Sequence, residues 1–396
     1  MKLMTVEAAR AAMLAEIPRL PSEDVALDES IGRVLAQDVA AIRDQPPFDA
    51  SAMDGWAVRS GDGAGERTII GESAAGHGFE GELGAGQAVR IFTGAALPAG
   101  ADAVVIQEDA ERRGDRVAVP AAGPRQNVRP RGGDFTAGQA LLGAGVRIDP
   151  WRLSLAAAAG RHRLGVAARP RVAVLSTGEE IVEAPATPGA FQIYDSGSPS
   201  ISALVEGCGG RVRRDRPVRD TLEAMVEALR EAEADLIVTI GGASVGDHDL
   251  VRVAADVLGF AIKVESVAVR PGKPTFFGVL ADGRRLLGLP GNPASAFVCA
   301  ELFLKPILAA YQGAAAEPVL ASARLTAPLP ANGPREHWMR ARLDHADGAL
   351  AVLPYRDQDS SLITVFAQAD ALLRRQAGAP AAAAGDLVDV LALSRA

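Results

Sequence analysis

Three glycine- and proline-rich passages carry most of the side chains that could act on a ligand. They are STGEE (176–180), GGASVGDHD (241–249) and PGNPAS (290–295), and each leaves the end of a short apolar run. Glycines allow backbone N–H groups to approach an anion closely, and Ser244 adds a hydroxyl donor. A helix following the loop would add the positive end of its dipole, so the chemistry on offer is phosphate binding. A glycine turn leading into an Asp N-cap fits GGASVGDHD equally well as letters. Arg270-Pro271-Gly272-Lys273-Pro274 offers two cations three residues apart across a rigid turn, a clamp for a doubly charged oxyanion or simply a solvated basic turn. Glu180, Asp215 and Asp249, each expected beside one of these loops, are hard oxygen ligands suited to magnesium.

Holding such loops at one edge requires strands that end together, and the order of elements supplies them. From Arg171 the chain alternates in a doubly wound manner: a strand at 171–176, a helix from Ser198-Pro199 to Gly207, a strand at 211–215 and a helix from Asp220 to Ala234. The helix start reads as a capping box of Asp220 with Glu223. A buried strand at 235–240 runs into GGASVGDHD and a helix to about Leu258. A strand at 262–269, a hairpin of 275–280 with 285–289, and a long amphipathic helix follow, with Asn292 as N-cap and Pro293 as first helical residue. In open parallel sheets, ligands bind at the carboxyl ends of the strands. Upstream lie a helix at 5–17 behind Thr5, short β runs at 88–92, 103–107 and 117–119 among glycine clusters, and a helix at 149–160. Downstream, β runs at 322–327, 336–343, 349–353 and 386–393 surround a loop at 377–385. The expected organisation is a discontinuous helical linker domain (1–38 and 140–168), an inserted β domain (39–139), an α/β domain (169–316) and a C-terminal β domain (317–396).

Composition narrows the function. The chain has 396 residues, 42 glycines, 25 prolines and a net charge of −8, which disfavours duplex nucleic acid or an anionic membrane as partner. Cys208 and Cys299 fit no metal spacing and read as small buried thiols in a reducing cytoplasm; the five histidines form no H-x-x-x-H pair and read as surface or lightly buried side chains. Gly76-x-Gly78-x-x-Gly81 lacks an expected strand before it and a helix after it, so it is set aside as a dinucleotide site, and no G-x-x-x-x-G-K-[ST] occurs. Glu7 and Arg10 interrupt any secretory core, and no membrane span is expected. In the β segment, PPFDASAMDGWA (46–57), IFTGAALP (91–98) and RPRGGD (129–134) are polar loops that turn chemistry alone would explain.

Taken in order, PPFDASAMDGWAV, IFTGAALPAGADAVV, RPRGGDF, STGEE, QIYDSGSPS, GGASVGDHD, RPGKP, GLPGNPASA and DQDSS resemble the molybdopterin molybdenumtransferase family, the MoeA-type enzymes related to the gephyrin E domain. The resemblance covers about residues 1–365 and implies an α/β multidomain fold with a molybdopterin-binding domain. The implied activity is insertion of molybdate into adenylylated molybdopterin with release of AMP and help from magnesium. It further implies a cytoplasmic homodimer whose two subunits share each site, working beside the molybdopterin adenylyltransferase and downstream maturation factors. By position, Asp54, Thr93 and Asp134 would come from the β insertion. Glu180, Asp215 and Asp249 would line the pterin and nucleotide pocket with Ser176, Thr177, Gly178, Gly241, Gly242, Ser244 and Gly246. Lys273 with Arg270, Ser295, Arg340 and Ser360 would hold molybdate, beside Pro271, Gly272, Pro290, Gly291, Asn292 and Pro293. Three positions depart from the family pattern: Ala50 stands where Asn is usual, Trp56 where Tyr is usual, and Arg270 often where Lys is. A molybdopterin adenylyltransferase and a non-catalytic anchoring protein are the alternatives; SAMDG and the retained carboxylates Asp54, Glu180 and Asp249 argue against both.

Overall fold

The structure, a computed structural model, describes residues 3–214, 217–241, 250–346 and 348–393. The chain divides into two compact units. The smaller comprises 24–31 and 37–165, and the larger 1–23, 32–36 and 166–396.

In the larger unit, six strands form a sheet in the order Arg211–Arg214, Arg171–Ser176, Leu236–Ile240, Arg285–Leu289, Phe276–Val279, Ala261–Val264. The first four run parallel, and the last two are added antiparallel at one edge. Side chains alternate between the two faces with the strand period of two. Val172, Val174, Leu236, Val238, Leu287 and Leu289 join the core beneath the helices Val6–Leu14 and Gly197–Gly207. Ala173, Leu175, Ile237 and Leu286 join the opposite core under Leu222–Glu231 and Leu250–Val257. Apolar residues on both sides of each central strand are what a doubly covered sheet requires.

A helical run, Pro293–Tyr311, is continuous through a π-helical stretch at Ala300–Leu304 and packs into the first core. By length and composition it could cross a membrane, yet most of it is buried inside the protein. A second six-stranded sheet contains Val269–Arg270, Glu336–Ala346, Ala349–Pro354, Ala321–Leu325, Leu387–Ala392 and Ala371–Arg375. The strand at 371–375 and the short helix Ile363–Gln368 have no counterpart in the sequence reading.

In the smaller unit a six-stranded sheet runs in the order Ala103–Ile106, Gly55–Val58, Gln87–Ile91, Gly65–Ser73, Arg116–Val119, Glu111–Arg113. Its helix, Pro150–Ala158, is capped by Asp149, whose carboxylate accepts from the Arg152 N–H.

Several local expectations change. The helix at 222–231 is capped by the Thr221 hydroxyl, so Asp220 is released from the capping role assigned to it. Asn292 occupies the N-cap position without a side-chain cap bond. The strand Gly65–Ser73 does precede Gly76, but the next regular element is the strand Gln87–Ile91, so the missing helix alone excludes a dinucleotide site. The expected strand at 262–269 is broken into Ala261–Val264, Ser266–Val267 and Val269–Arg270, because these pieces pair with different partners. His337 is buried, at 7% exposure, because its strand is packed inside the C-terminal sheet. Cys299 is buried as expected, whereas Cys208 is only half-buried.

Candidate functional site

Strand register brings the loops together. Ser176 pairs with Ile240, and Ile240 pairs with Leu289, so three adjacent parallel strands end at one level. The loops beyond them are laced by Thr177 N–H to the Ile240 carbonyl (3.1 Å) and Gly241 N–H to the Leu289 carbonyl (3.2 Å). Above this edge opens a cleft of ≈ 900 Å³. Ser176, Thr177, Gly178 and Glu180 line it from the first loop, Gly241 from the second, and Pro290, Gly291, Asn292, Pro293 and Ser295 from the third. Lys273 reaches it from the RPGKP turn. Gly242, Ser244, Gly246, Asp249 and Asp215, all candidates from the sequence, lie outside the described residues.

The cleft also gathers residues that were not among the expected site residues. Asp195, Ser196 and Gly197 come from QIYDSGSPS, with Ile193 and Tyr194 just ahead of them; Asp220 and Ser361 also face the cleft. Asp195 ties the helix Gly197–Gly207 to the floor, accepting from the Ser198 N–H (2.9 Å) and the Ser176 hydroxyl (3.2 Å). That helix start adds positive dipole beside the cleft. Thr177 is buried and its hydroxyl has no hydrogen-bond partner among the described residues. A buried hydroxyl without a partner costs free energy unless a ligand or water satisfies it.

Five residues expected in or beside the oxyanion group, Arg270, Pro271, Gly272, Arg340 and Ser360, are not cleft-lining. Arg270 is exposed and sits in register with His337. Pro271 and Gly272 form the back of the strap, where Gly272 has φ +120° and an added Cβ would lie 2.2 Å from Cys299 Sγ. Only glycine fits there. Arg340 is fully buried; one terminal N–H group donates to the Asp359 carbonyl (2.8 Å), while Nε and Nη1 have no hydrogen-bond partner among the described residues. Burial lowers its pKa, against the pull of Asp357 and Asp359. Ser360 accepts from the Asn292 side-chain amide (2.9 Å), joining the DQDSS loop to the third cleft loop. His337 is held neutral, its pKa pushed down to about 4 by burial and by Arg270, Arg340 and Arg335.

In the smaller unit, Asp54 and Thr93 are neighbours because the strands beside them pair with Gly55 opposite Ile91. Asp54 Oδ1 accepts from the Thr93 N–H (2.7 Å) and hydroxyl (2.8 Å), and these bonds, with Arg90 nearby, hold the carboxyl below its ordinary range. Gly55 is obligatory, since a Cβ there would meet the Val105 carbonyl oxygen at 1.9 Å. Arg90 lies over Trp56 and Phe92, at 5.2 and 4.9 Å from the ring centres, and donates to the Gly55 carbonyl (3.0 Å). Asp134 is exposed, and its N–H is bonded to the Gln45 carbonyl. Ala50 is buried, paired with Arg129 across a short antiparallel ladder. Among the described residues, no three His, Cys, Asp or Glu side chains gather as a metal site.

Comparison with known proteins places this geometry. The MoeA N-terminal region (domain I and II) matches residues 4–160, a probable molybdopterin binding domain matches 173–310, and the MoeA C-terminal region (domain IV) matches 322–393. The chain belongs to the molybdopterin molybdenumtransferase family. It is 33% identical over 379 residues to the molybdopterin molybdenumtransferase of Staphylococcus epidermidis, covering 93% of this chain and 90% of that protein. It is 36% identical over 352 residues to that of a Nostoc species, covering 84% and 80%. Two structures of a molybdopterin biosynthesis MoeA protein from Pyrococcus horikoshii superpose with TM-scores of 0.85 and 0.84, at 29% and 27% identity. They cover 100% and 99% of this chain and all of their own. The family is one of transferases in molybdenum cofactor biosynthesis, and the expected mixed α/β fold class holds over the full length.

Proposed function

We propose that this chain inserts molybdate into adenylylated molybdopterin and releases AMP. The observation that carries the reading is the ≈ 900 Å³ cleft at the carboxyl edge of three adjacent parallel strands, where Lys273 meets the Pro290–Ser295 loop. Its size suits a nucleotide-bearing ligand. Lys273, the Thr177 hydroxyl and the start of the helix Gly197–Gly207 supply the cation, donor and dipole that oxyanions require. The matches at 4–160 and 322–393, beyond the molybdopterin-binding region, favour this activity over a molybdopterin adenylyltransferase.

In the reaction, the phosphoanhydride joining AMP to molybdopterin opens, and the freed phosphate takes an oxygen from water or molybdate. Two Mo–O bonds exchange for two Mo–S bonds to the dithiolene, whose thiols give their protons to the displaced oxygens; the net loss is one water, and no electrons are transferred. Lys273 holds the oxyanion, Ser295 and Asn292 shape its pocket, and Arg340 fixes the DQDSS loop through the Asp359 carbonyl. Asp54, ionised across the neutral range, acts with Thr93 and Asp134 from the smaller unit, which in a cytoplasmic homodimer would serve the partner's cleft. The four-domain division and the adenylyltransferase and maturation factors as partners complete this reading. Magnesium would supply charge neutralisation for the phosphates. The described residues alone do not gather a magnesium site; Glu180, with Asp215 and Asp249, remains the proposed donor set, and no step above depends on the ion.

The test is a molybdate titration of AMP release by Lys273→Ala. A charge-assisted contact is worth about 1.5–3 kcal/mol, and Lys273 is exposed, so the lower end applies and half-saturation should rise about tenfold with molybdopterin binding kept. Parent-like titration, or loss of the pterin ligand instead, contradicts the assignment.

A further inference from the structure

Beside the polar groups of the strand-end loops, a short ribbon lines the cleft with Ile193 and Tyr194, and Ile181 lies on its paired strand. Large apolar side chains lining a concave site are normally covered, yet Ile193 is 59% and Tyr194 52% exposed. The ribbon is also fixed in place. Ile193 N–H donates to the Glu180 carbonyl (2.7 Å), Asp195 N–H to the Val182 carbonyl (2.8 Å), and the Gln192 side-chain amide to the Glu179 carbonyl (3.0 Å). Asp195, the next residue, is bonded to Ser176 and Ser198 on the cleft floor. Both residues line the cleft on a tethered backbone, which lowers the entropic cost of seating a ligand against them. The carboxylates of Glu180, Asp195 and Asp220 border the same cleft and can accept only from donors.

We propose that Tyr194 is the platform on which a planar, amino-bearing heteroaromatic ring of the substrate stacks, its amino edge turned to the cleft carboxylates. This rests on the function proposed above and deepens it, since adenylylated molybdopterin carries two such rings, adenine and the pterin. Neither the tethering bonds nor the core require Tyr194 to be aromatic.

The experiment measures equilibrium binding of AMP and, separately, of molybdopterin to the full chain and to Tyr194→Ala, Tyr194→Phe and Phe191→Ala. Phe191 lies on the same ribbon, is 94% exposed and does not line the cleft. Tyr194→Ala should weaken binding roughly 5- to 100-fold, the range that loss of one stacked base produces. Tyr194→Phe and Phe191→Ala should bind like the parent. Loss of AMP binding alone identifies adenine as the stacked ring, loss of molybdopterin alone identifies the pterin, and either result supports the platform. Parent-like binding of both ligands by Tyr194→Ala overturns it, as does an equal loss in Phe191→Ala, which would trace the effect to the ribbon itself. If the parent binds neither ligand, the reading of the cleft falls and the platform with it.

Discussion

Gly272 lies one residue before Lys273, and replacing it with alanine tests whether the strap is built as described. At φ +120° an L-residue occupies strained backbone, costing about 1–3 kcal/mol. The new methyl would also lie 2.2 Å from Cys299 Sγ and 3.2 Å from Val269 Cγ1. Both neighbours are fully buried, and overpacking of that kind costs a further ~1–3 kcal/mol. Gly272→Ala should therefore lose about 2–6 kcal/mol, lowering the melting temperature by roughly 2–10 °C. The two contributions separate through Cys299. The thiol is protonated, its pKa pushed up to about 12 by burial, and accepts from the Thr275 hydroxyl at 3.0 Å. The single hydroxyl hydrogen is within reach of both Sγ and the Gly272 carbonyl, at 2.8 Å, so Cys299→Ala leaves Thr275 a partner. Removing the sulfur should return the steric part, giving a favourable coupling of ~1–3 kcal/mol in the double-mutant cycle while the backbone part persists. Strictly additive effects, measured by thermal or denaturant unfolding, would refute the contact between strap and core.

Three further outcomes follow. His337, ordinarily titrating near 6.5, is neutral in the folded chain down to about pH 4. The unfolded chain takes up the proton first, so stability is complete above pH 6.5 and falls as pH drops from 6.5 towards 4, by about 3 kcal/mol; His337→Gln should flatten the slope of unfolding free energy across that window. Arg340→Met should keep or raise thermal stability, because it removes a buried cation whose Nε and Nη1 find no partner among the described residues, while half-saturation by molybdate worsens; a large loss of stability would make Arg340 purely structural. Mixing Asp54→Asn with Glu180→Gln chains should restore part of the activity through heterodimers carrying one intact site, and no recovery in proven heterodimers would argue against shared sites.

The parallel sheet was readable because its central strands are apolar on both faces and end at glycine turns; the strand at 171–176 falls where its apolar run places it. The cleft loops followed from the same logic, since strand ends in an open sheet must meet. Asp220 misled because Asp-x-x-Glu fits a capping box, whereas Thr221, one residue later, caps the helix and leaves the carboxylate to the cleft. Ile193 and Tyr194 escaped notice because a two-residue ribbon pairing has no periodicity; the QIYDSGSPS passage marked the region without naming its residues. The strand Ala371–Arg375 escaped for a related reason: its apolar stretch is short and ends in two arginines, one of them buried against the carbonyls of Pro330 and Pro380. His337 and Arg340 are buried through sheet pairing that spans distant segments, which no local pattern records.

The central claim is a molybdate-dependent transfer at the cleft, and the direct measurement is AMP released from adenylylated molybdopterin by the purified chain, with and without molybdate. The account predicts one AMP per molybdenum incorporated, followed by mass spectrometry of the pterin product, and no release when molybdate is withheld. AMP release indifferent to molybdate, or molybdenum incorporation without AMP, would contradict it.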